Sequence, residues 1–296
     1  MVESPKRLTQ PWYQPLRLLQ WLAITLLVLV AVFYGLICLT LYQQQNVLTY
    51  PGQGTHDLSL ETIAEKATKA GVIPWAHPTP GATSPQGYVA PNFADPAPRG
   101  TIVIFHGNAA WAMHLAPFVA TFKNRGFRTF LYEYPGYGAR PGHPSEATIV
   151  PDARALIRSL DAAGYGPVYV WGESLGSGVA SAVCGDPTLP VHGLVILTAW
   201  DTIADVGLYR YPYIPVRQLM IDRYDSIANL SHFGHPICVV RCTQDQVIPP
   251  SLTINLYDHL PEPKKLIVQE GVGHDDWPRG ETEPWWDEAL NFIAPK

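Results

Sequence analysis

The residues that could do chemistry gather around one serine. Ser174 lies in the pentapeptide Gly172-Glu-Ser-Leu-Gly176, after an apolar run at 168–171 and before a helical pattern at 175–184. A serine on a tight strand-to-helix turn is lifted to a helix N-terminus, where the dipole favours the negative charge that develops during attack on a carbonyl. The two glycines suit such a turn because backbones come close together there. A serine hydroxyl is a poor nucleophile at neutral pH, so it needs a base, and the base needs an orienting acid. His274, in Gly271-Val-Gly-His-Asp-Asp276, is the expected base, and Asp245, in Thr243-Gln-Asp-Gln-Val-Ile-Pro249, the expected acid. Each follows a strand-like run, 266–268 for His274 and 237–242 for Asp245, and so lies where loops leave the carboxyl ends of strands. Asp275 and Asp276 are rivals for the acid role, but they share the loop of His274 and are poorly placed to reach its far ring nitrogen.

Acyl transfer also needs donors for an oxyanion. The backbone N–H of Leu175, just after the nucleophile, is one. His106-Gly-Asn-Ala-Ala110 follows the apolar run 101–105, and the N–H of Asn108 is the expected second donor, with that of Ala109 close behind. His106 is read as a histidine that anchors this loop. Trp111, Trp200 and Tyr209 are the expected aromatic residues around the substrate pocket, the last two from a Tyr- and Pro-rich insertion at 198–236.

A set of elements must hold these residues. Short apolar runs at 101–105, 129–132, 168–171, 194–197, 237–242 and 266–268 alternate with helical patterns at 114–125, 145–163, 175–184, 251–260 and 284–293. Short, fully apolar runs suit strands buried on both faces, and their alternation with helices predicts a mostly parallel sheet covered on both sides. A helix is also expected over 55–70, starting at Asp57 or Ser59, and edge strands and turns over 72–98, which hold seven of the 29 prolines.

The N-terminal part is different. No Asp, Glu, Lys or Arg occurs between Arg17 and Asp57, and residues 18–41 form 24 mostly apolar positions. At about 1.5 Å per residue such a helix reaches about 36 Å, enough for a hydrocarbon core of about 30 Å. The run is too long for a signal peptide, and Ile37-Cys-Leu-Thr-Leu-Tyr42 offers no small-residue cleavage site. The expected organisation is a basic N-terminus at 1–17, a transmembrane anchor at 18–41, a polar linker at 42–54 and one domain at 55–296. Lys6, Arg7 and Arg17 precede the anchor and the next Lys or Arg is Lys66. The positive-inside rule then leaves the N-terminus cytoplasmic and the domain on the periplasmic or extracytoplasmic side of a single-pass protein.

Composition narrows the partners. Twenty basic and 25 acidic residues give a net charge of −5 with no basic cluster, so nucleic acid is not an expected partner. His232 and His235 have metal-like spacing but no further ligands beside them, so no metal is expected. No nucleotide-binding glycine signature occurs, and no cofactor is expected. Cys238 and Cys242 fall four apart in one strand-like run, about 13 Å at strand rise, too far for a disulfide.

Phe105-His-Gly-Asn108, Tyr132-Glu-Tyr-Pro-Gly-Tyr-Gly138 followed by Pro144-Ser-Glu146, Gly172-Glu-Ser-Leu-Gly176, Asp245 and Gly273-His-Asp275 together resemble the α/β-hydrolase superfamily, and within it the membrane-anchored ABHD-type hydrolases. The resemblance covers about residues 99–296 and the anchor. It implies an α/β-hydrolase fold with an eight-stranded, mostly parallel sheet flanked by helices, and a Ser174–His274–Asp245 triad. It also implies a broad carboxylester or thioester hydrolase class, in which some relatives act on lipids or acylated proteins. The short linker keeps the expected pocket near the bilayer, so the expected partner is a small-molecule or lipid-like acyl ester. The sequence departs from many relatives at Trp111, where smaller residues are common, and at Glu133, where many carry Asp. An aminopeptidase or amidase would use the same triad. A catalytically silent domain serving as an interaction module is the alternative of another kind.

Overall fold

The structure is a computed structural model that describes residues 13–53, 60–75 and 85–295. The expected start of a helix at Asp57 or Ser59 lies outside the described residues. The chain divides into two compact units, the first ending at Gln45 and the second beginning at Asn46.

Helix α1 (Tyr13–Thr49) contains the apolar run, is long and apolar enough to cross a membrane, and exposes side chains such as Leu22, Leu27 and Phe33. It does not stop where the linker was expected. Residues 42–49 contain neither Gly nor Pro and continue the helix, and Pro51-Gly52 follow its end.

The second unit is built on one eight-stranded sheet. Its strands are β1 (Ile73–Pro74), β2 (Gly87–Val89), β3 (Gly100–Phe105), β4 (Phe127–Tyr132), β5 (Val168–Glu173), β6 (Val191–Leu197), β7 (Ile237–Cys242) and β8 (Lys264–Gln269). Their order across the sheet is β1-β2-β4-β3-β5-β6-β7-β8. The β1–β2 and β2–β4 pairs are antiparallel, and every pair from β4 through β8 is parallel.

Helices α2 (Leu60–Lys69), α3 (Phe118–Lys123), α4 (Glu146–Ala162), α5 (Leu175–Cys184), α6 (Ile203–Arg210), α7 (Val216–Leu219), α8 (Ser226–Leu230), α9 (Pro250–His259) and α10 (Pro284–Ile293) complete the unit. The alternation of side chains along each strand feeds two cores. Val103, Phe105, Val170, Ile196 and Val239 point to one face, where Leu156 of α4, Val179 of α5 and Leu256 of α9 cover them. Ile104, Trp171, Leu197 and Val240 point to the other, covered by Phe122 of α3 and Trp286 of α10. There the rings of Trp171 and Trp286 stack at 5.2 Å and 25°. Helix α4 begins as its sequence dictates. The Ser145 hydroxyl accepts from the Thr148 N–H, and the Thr148 hydroxyl accepts from the Ser145 N–H.

The helix expected over 114–125 divides instead into a 3₁₀ turn (Ala112–Leu115) and α3, with Pro117 at the junction. Pro117 has no N–H to continue a helical ladder. The insertion at 198–236 carries three short helices, α6, α7 and α8. All four cysteines are free, and Cys184, Cys238 and Cys242 are buried. Burial pushes the thiols of Cys238 and Cys242 up to about 12, which leaves them uncharged at neutral pH.

Candidate active site

Ser174 stands between β5 and α5 with φ of 54° and ψ of −120°. That conformation costs a non-glycine residue about 1–3 kcal/mol, and the surroundings must impose it. The Ser174 N–H donates to the carbonyl of Leu197 on β6 at 3.0 Å, which ties the turn to the neighbouring strand. Gly172 and Gly176 leave room for the crossing backbones. As the first residue of α5, Leu175 carries an N–H with no helical acceptor, which leaves it available to a ligand.

Two other loops come to the same edge. After β7, Asp245 is buried, and its Oδ1 accepts from the N–H groups of Val247 and Ile248, both at 2.8 Å. Its Oδ2 lies 2.7 Å from Nδ1 of His274. After β8, the His274 loop is stitched to the Asp245 loop. The Gln244 N–H donates to the Val272 carbonyl at 2.9 Å, and the Gly271 N–H to the Thr243 hydroxyl at 2.8 Å. Nε2 of His274 lies 2.9 Å from Oγ of Ser174. A carboxylate on Nδ1 fixes a tautomer whose Nε2 can accept a proton from a neighbouring hydroxyl. Asp275 lines the adjacent cavity, and Asp276 packs against Gly273; neither is the Nδ1 partner.

The fourth component is the loop after β3. His106 is fully buried; its Nε2 lies 3.0 Å from Oε1 of Glu133, and its Nδ1 donates to the Gly107 carbonyl at 2.9 Å. Both carboxylate oxygens of Glu133 also accept from the Ala112 N–H, at 3.3 and 3.2 Å. The Tyr134 hydroxyl donates to the His106 carbonyl at 2.7 Å. The loop is therefore bonded into the sheet at both ends. Gly107 approaches Ser174 closely: a Cβ there would lie 3.6 Å from that of the serine.

A cavity of about 450 Å³ opens onto Ser174 and His274. Asn108, Ala109, Leu115, Glu173, Val247 and Arg279 are among its lining residues. None of the three aromatic residues expected around the pocket lines it. Trp200 is buried beneath α5, where Gly178 makes room for its ring. Trp111 is buried against Gly138, with its Nε1 donating to Nε2 of His114 at 2.6 Å, and His114 lines the cavity instead. Tyr209 is exposed.

One feature escapes a reading of the sequence. Glu173, next to the serine, is buried, and its Oε1 accepts from Nε1 of Trp277 at 3.0 Å and from Nη2 of Arg279 at 3.1 Å. The Arg279 guanidinium lies over the Trp277 ring at 4.6 Å. Burial pushes the Glu173 carboxyl above its ordinary value, against the pull of Arg279 and the Trp277 N–H. Among the described residues, no group of three or more His, Cys, Asp or Glu is disposed to hold a metal ion.

The sequence profile of the α/β hydrolase fold matches residues 100–219. An uncharacterised protein of Mycobacterium tuberculosis is 33% identical over 178 residues, covering 59% of this chain and 63% of the relative. The uncharacterised protein YfhR of Escherichia coli is 27% identical over 218 residues, covering 70% of this chain and 75% of the relative. A lysophosphatidylserine lipase of Danio rerio is 28% identical over 185 residues, covering 56% and 48%. Among solved structures, a Pyrococcus furiosus esterase superposes with a TM-score of 0.60 at 13% identity, covering 77% of this chain and 94% of that one. At that identity the likeness is one of fold. The chain spans less than two thirds of the length of the mycobacterial relative.

Proposed function

The chain belongs to the α/β-hydrolase superfamily, in an ABHD-like branch, and from that premise we propose that it is a membrane-anchored serine hydrolase that cleaves a carboxylic ester or thioester. The observation that carries the reading is the continuous contact from Ser174 Oγ through His274 to Asp245, at 2.9 and 2.7 Å. Ser174 Oγ attacks the carbonyl carbon while Nε2 of His274 takes the hydroxyl proton. The carbonyl electron pair moves onto oxygen, where the N–H groups of Leu175 and Asn108 receive it. Collapse of the tetrahedral species expels the alcohol or thiol, which takes the proton from His274 and leaves an acyl-serine. Water then attacks the acyl carbon and gives a proton to His274; the acyl–Oγ bond breaks, His274 returns the proton to Ser174 Oγ, and the acid leaves with the free serine restored. Asp245 holds the imidazole orientation and stabilises the imidazolium in both halves.

Helix α1 supplies the membrane part of the proposal, with residues 18–41 as the span, the N-terminus cytoplasmic and the catalytic unit outside. A catalytic unit tethered there meets membrane-dissolved esters, so a lipid-like acyl ester is the proposed substrate class. The test is labelling with a fluorophosphonate probe in membranes that carry either wild type or Ser174→Ala. Labelling of wild type alone is the expected result; equal labelling of both, or of neither when folded, overturns the reading.

A further inference from the structure

We propose that the chain segment leaving α1, residues 50–53, acts with Tyr137 as a clamp that positions the oxyanion loop through the carbonyl of Asn108. The inference rests on the hydrolase reading of Ser174 and of the loop that follows β3. The Asn108 carbonyl accepts from the Gly52 N–H at 3.1 Å and from the Tyr137 hydroxyl at 2.8 Å. Each of its two lone pairs has a donor. The preceding carbonyl, that of Gly107, accepts from Nδ1 of His106 at 2.9 Å and from the Ala110 N–H at 3.2 Å. Both peptide planes flanking Asn108 are therefore held. Planar peptides leave a residue only φ and ψ to vary, so holding both planes fixes both angles. In a trans peptide the N–H points away from the C=O. The held Gly107 carbonyl thus aims the Asn108 N–H, and the held Asn108 carbonyl aims the Ala109 N–H. The clamp sets the donor direction whichever of the two N–H groups meets the oxyanion.

The segment is built to reach that carbonyl. A Cβ on Gly52 would lie 2.3 Å from Cε1 of Tyr137 and 2.8 Å from the Asn108 oxygen, so only glycine permits the approach. The Gln53 N–H donates to the Tyr50 carbonyl at 3.0 Å and closes a turn around Gly52. Tyr50 is fully buried and fixes the segment from the other side. Its hydroxyl donates to Oδ2 of Asp222 at 2.5 Å and lies 3.0 Å from the hydroxyl of Tyr224. Tyr137 is itself buried in ring contact with Tyr134 and His106. Burial pushes its phenol above the ordinary value, which keeps the proton available to the carbonyl. The first residues after the apolar helix thus close onto the catalytic loop.

The test uses the full chain in detergent or membranes, with Tyr137→Phe and Gly52→Ala. Active sites are counted by fluorophosphonate titration, so that loss of folded protein is separated from loss of rate. Tyr137→Phe is expected to lower kcat about 10-fold, below the roughly 10²–10³ typical of losing a whole donor, with KM within about twofold. Inhibition by an alkyl boronic acid, whose tetrahedral serine adduct resembles the intermediate, is expected to weaken by the same factor. The double variant is expected to lose less than the product of the single losses, because both changes act through one carbonyl. Unchanged kcat and boronate affinity per titrated site in both single variants would overturn the clamp. A wild type that fails to react with fluorophosphonate would sink the hydrolase reading itself and the clamp with it; a reactive wild type matched by its variants sinks only the clamp.

Discussion

Gly172 and Gly176 meet backbone to backbone across the turn that carries Ser174. A Cβ on Gly172 would stand 2.2 Å from the carbonyl oxygen of Gly176, and one on Gly176 would stand 2.0 Å from that of Phe105 on β3. The obstacles are main chain, of the first turn of α5 and of the end of β3, and cannot swing aside. Gly176→Ala is therefore expected to destabilise the fold by at least the roughly 1–3 kcal/mol of an overpacked core. Urea unfolding measures it, and a midpoint equal to that of the wild type would contradict the packing argument.

The elements that position the chemistry were legible where burial is symmetrical. The apolar runs become the parallel strands β3 to β8, the last of them at the edge of the sheet, and the patterns at 237–242, 175–184 and 284–293 coincide with β7, α5 and α10. The meeting of Ser174, Asp245 and His274 was also legible, because each follows a strand in the same sheet. The direction in which an aromatic side chain turns was not. Trp200 points beneath α5 because Gly178, in the next layer, leaves space there. The role of Glu173 was equally hidden, since its partners Trp277 and Arg279 lie 104 and 106 residues further on. The clamp on Asn108 depends on a contact with Gly52 that no periodicity encodes.

Asp245→Asn keeps the shape of the acid but offers an amide to Nδ1 of His274, which favours the wrong imidazole tautomer. A fall in kcat of about 10⁴ is expected, with the fold intact. On the proposed mechanism, Ser174→Ala and His274→Ala should each remove nearly all triad-dependent rate, and combining them should add little, as expected of residues that act as a unit. Ester hydrolysis by the single and double variants tests this. Multiplicative losses would argue against a shared mechanism.

The His106–Glu133 pair is expected to carry stability as well as loop geometry. Both side chains are nearly inaccessible, at 0% and 2%, and the Glu133 carboxylate also receives the Ala112 N–H. Glu133→Ala would leave His106 and that N–H without their acceptor. Breaking a buried pair in this way costs about 3–5 kcal/mol. Thermal and urea unfolding of the variant should show it, whereas a loss below about 1 kcal/mol would mean that water or another group takes over.

Membrane retention tests the role of α1. An integral span of residues 18–41 predicts that the full chain stays in the membrane fraction through alkaline carbonate extraction. Release into the supernatant would point to surface attachment instead. With the span intact, hydrolysis of long-chain esters in vesicles is expected to exceed that of the same esters by a detergent-solubilised sample. Equal turnover of short and long acyl esters in both settings would remove the argument for a lipid-like substrate.

Glu173 supplies a pH dependence whose sign follows from its burial. Its carboxyl titrates above its ordinary 4.5 in the folded protein because burial disfavours the charge. Between that value and the raised one, the folded chain holds a proton that the unfolded chain has lost. Its contribution to stability is therefore fully present below pH 4.5 and declines as pH rises through the folded titration. Glu173→Gln retains an oxygen to accept from Trp277 and Arg279 but cannot ionise. The variant should thus gain in melting temperature relative to wild type as pH is raised from about 4.5 to 7. A difference that stays flat across this range, or that shifts in favour of wild type, would show that the Arg279 ion pair outweighs the burial of the charge.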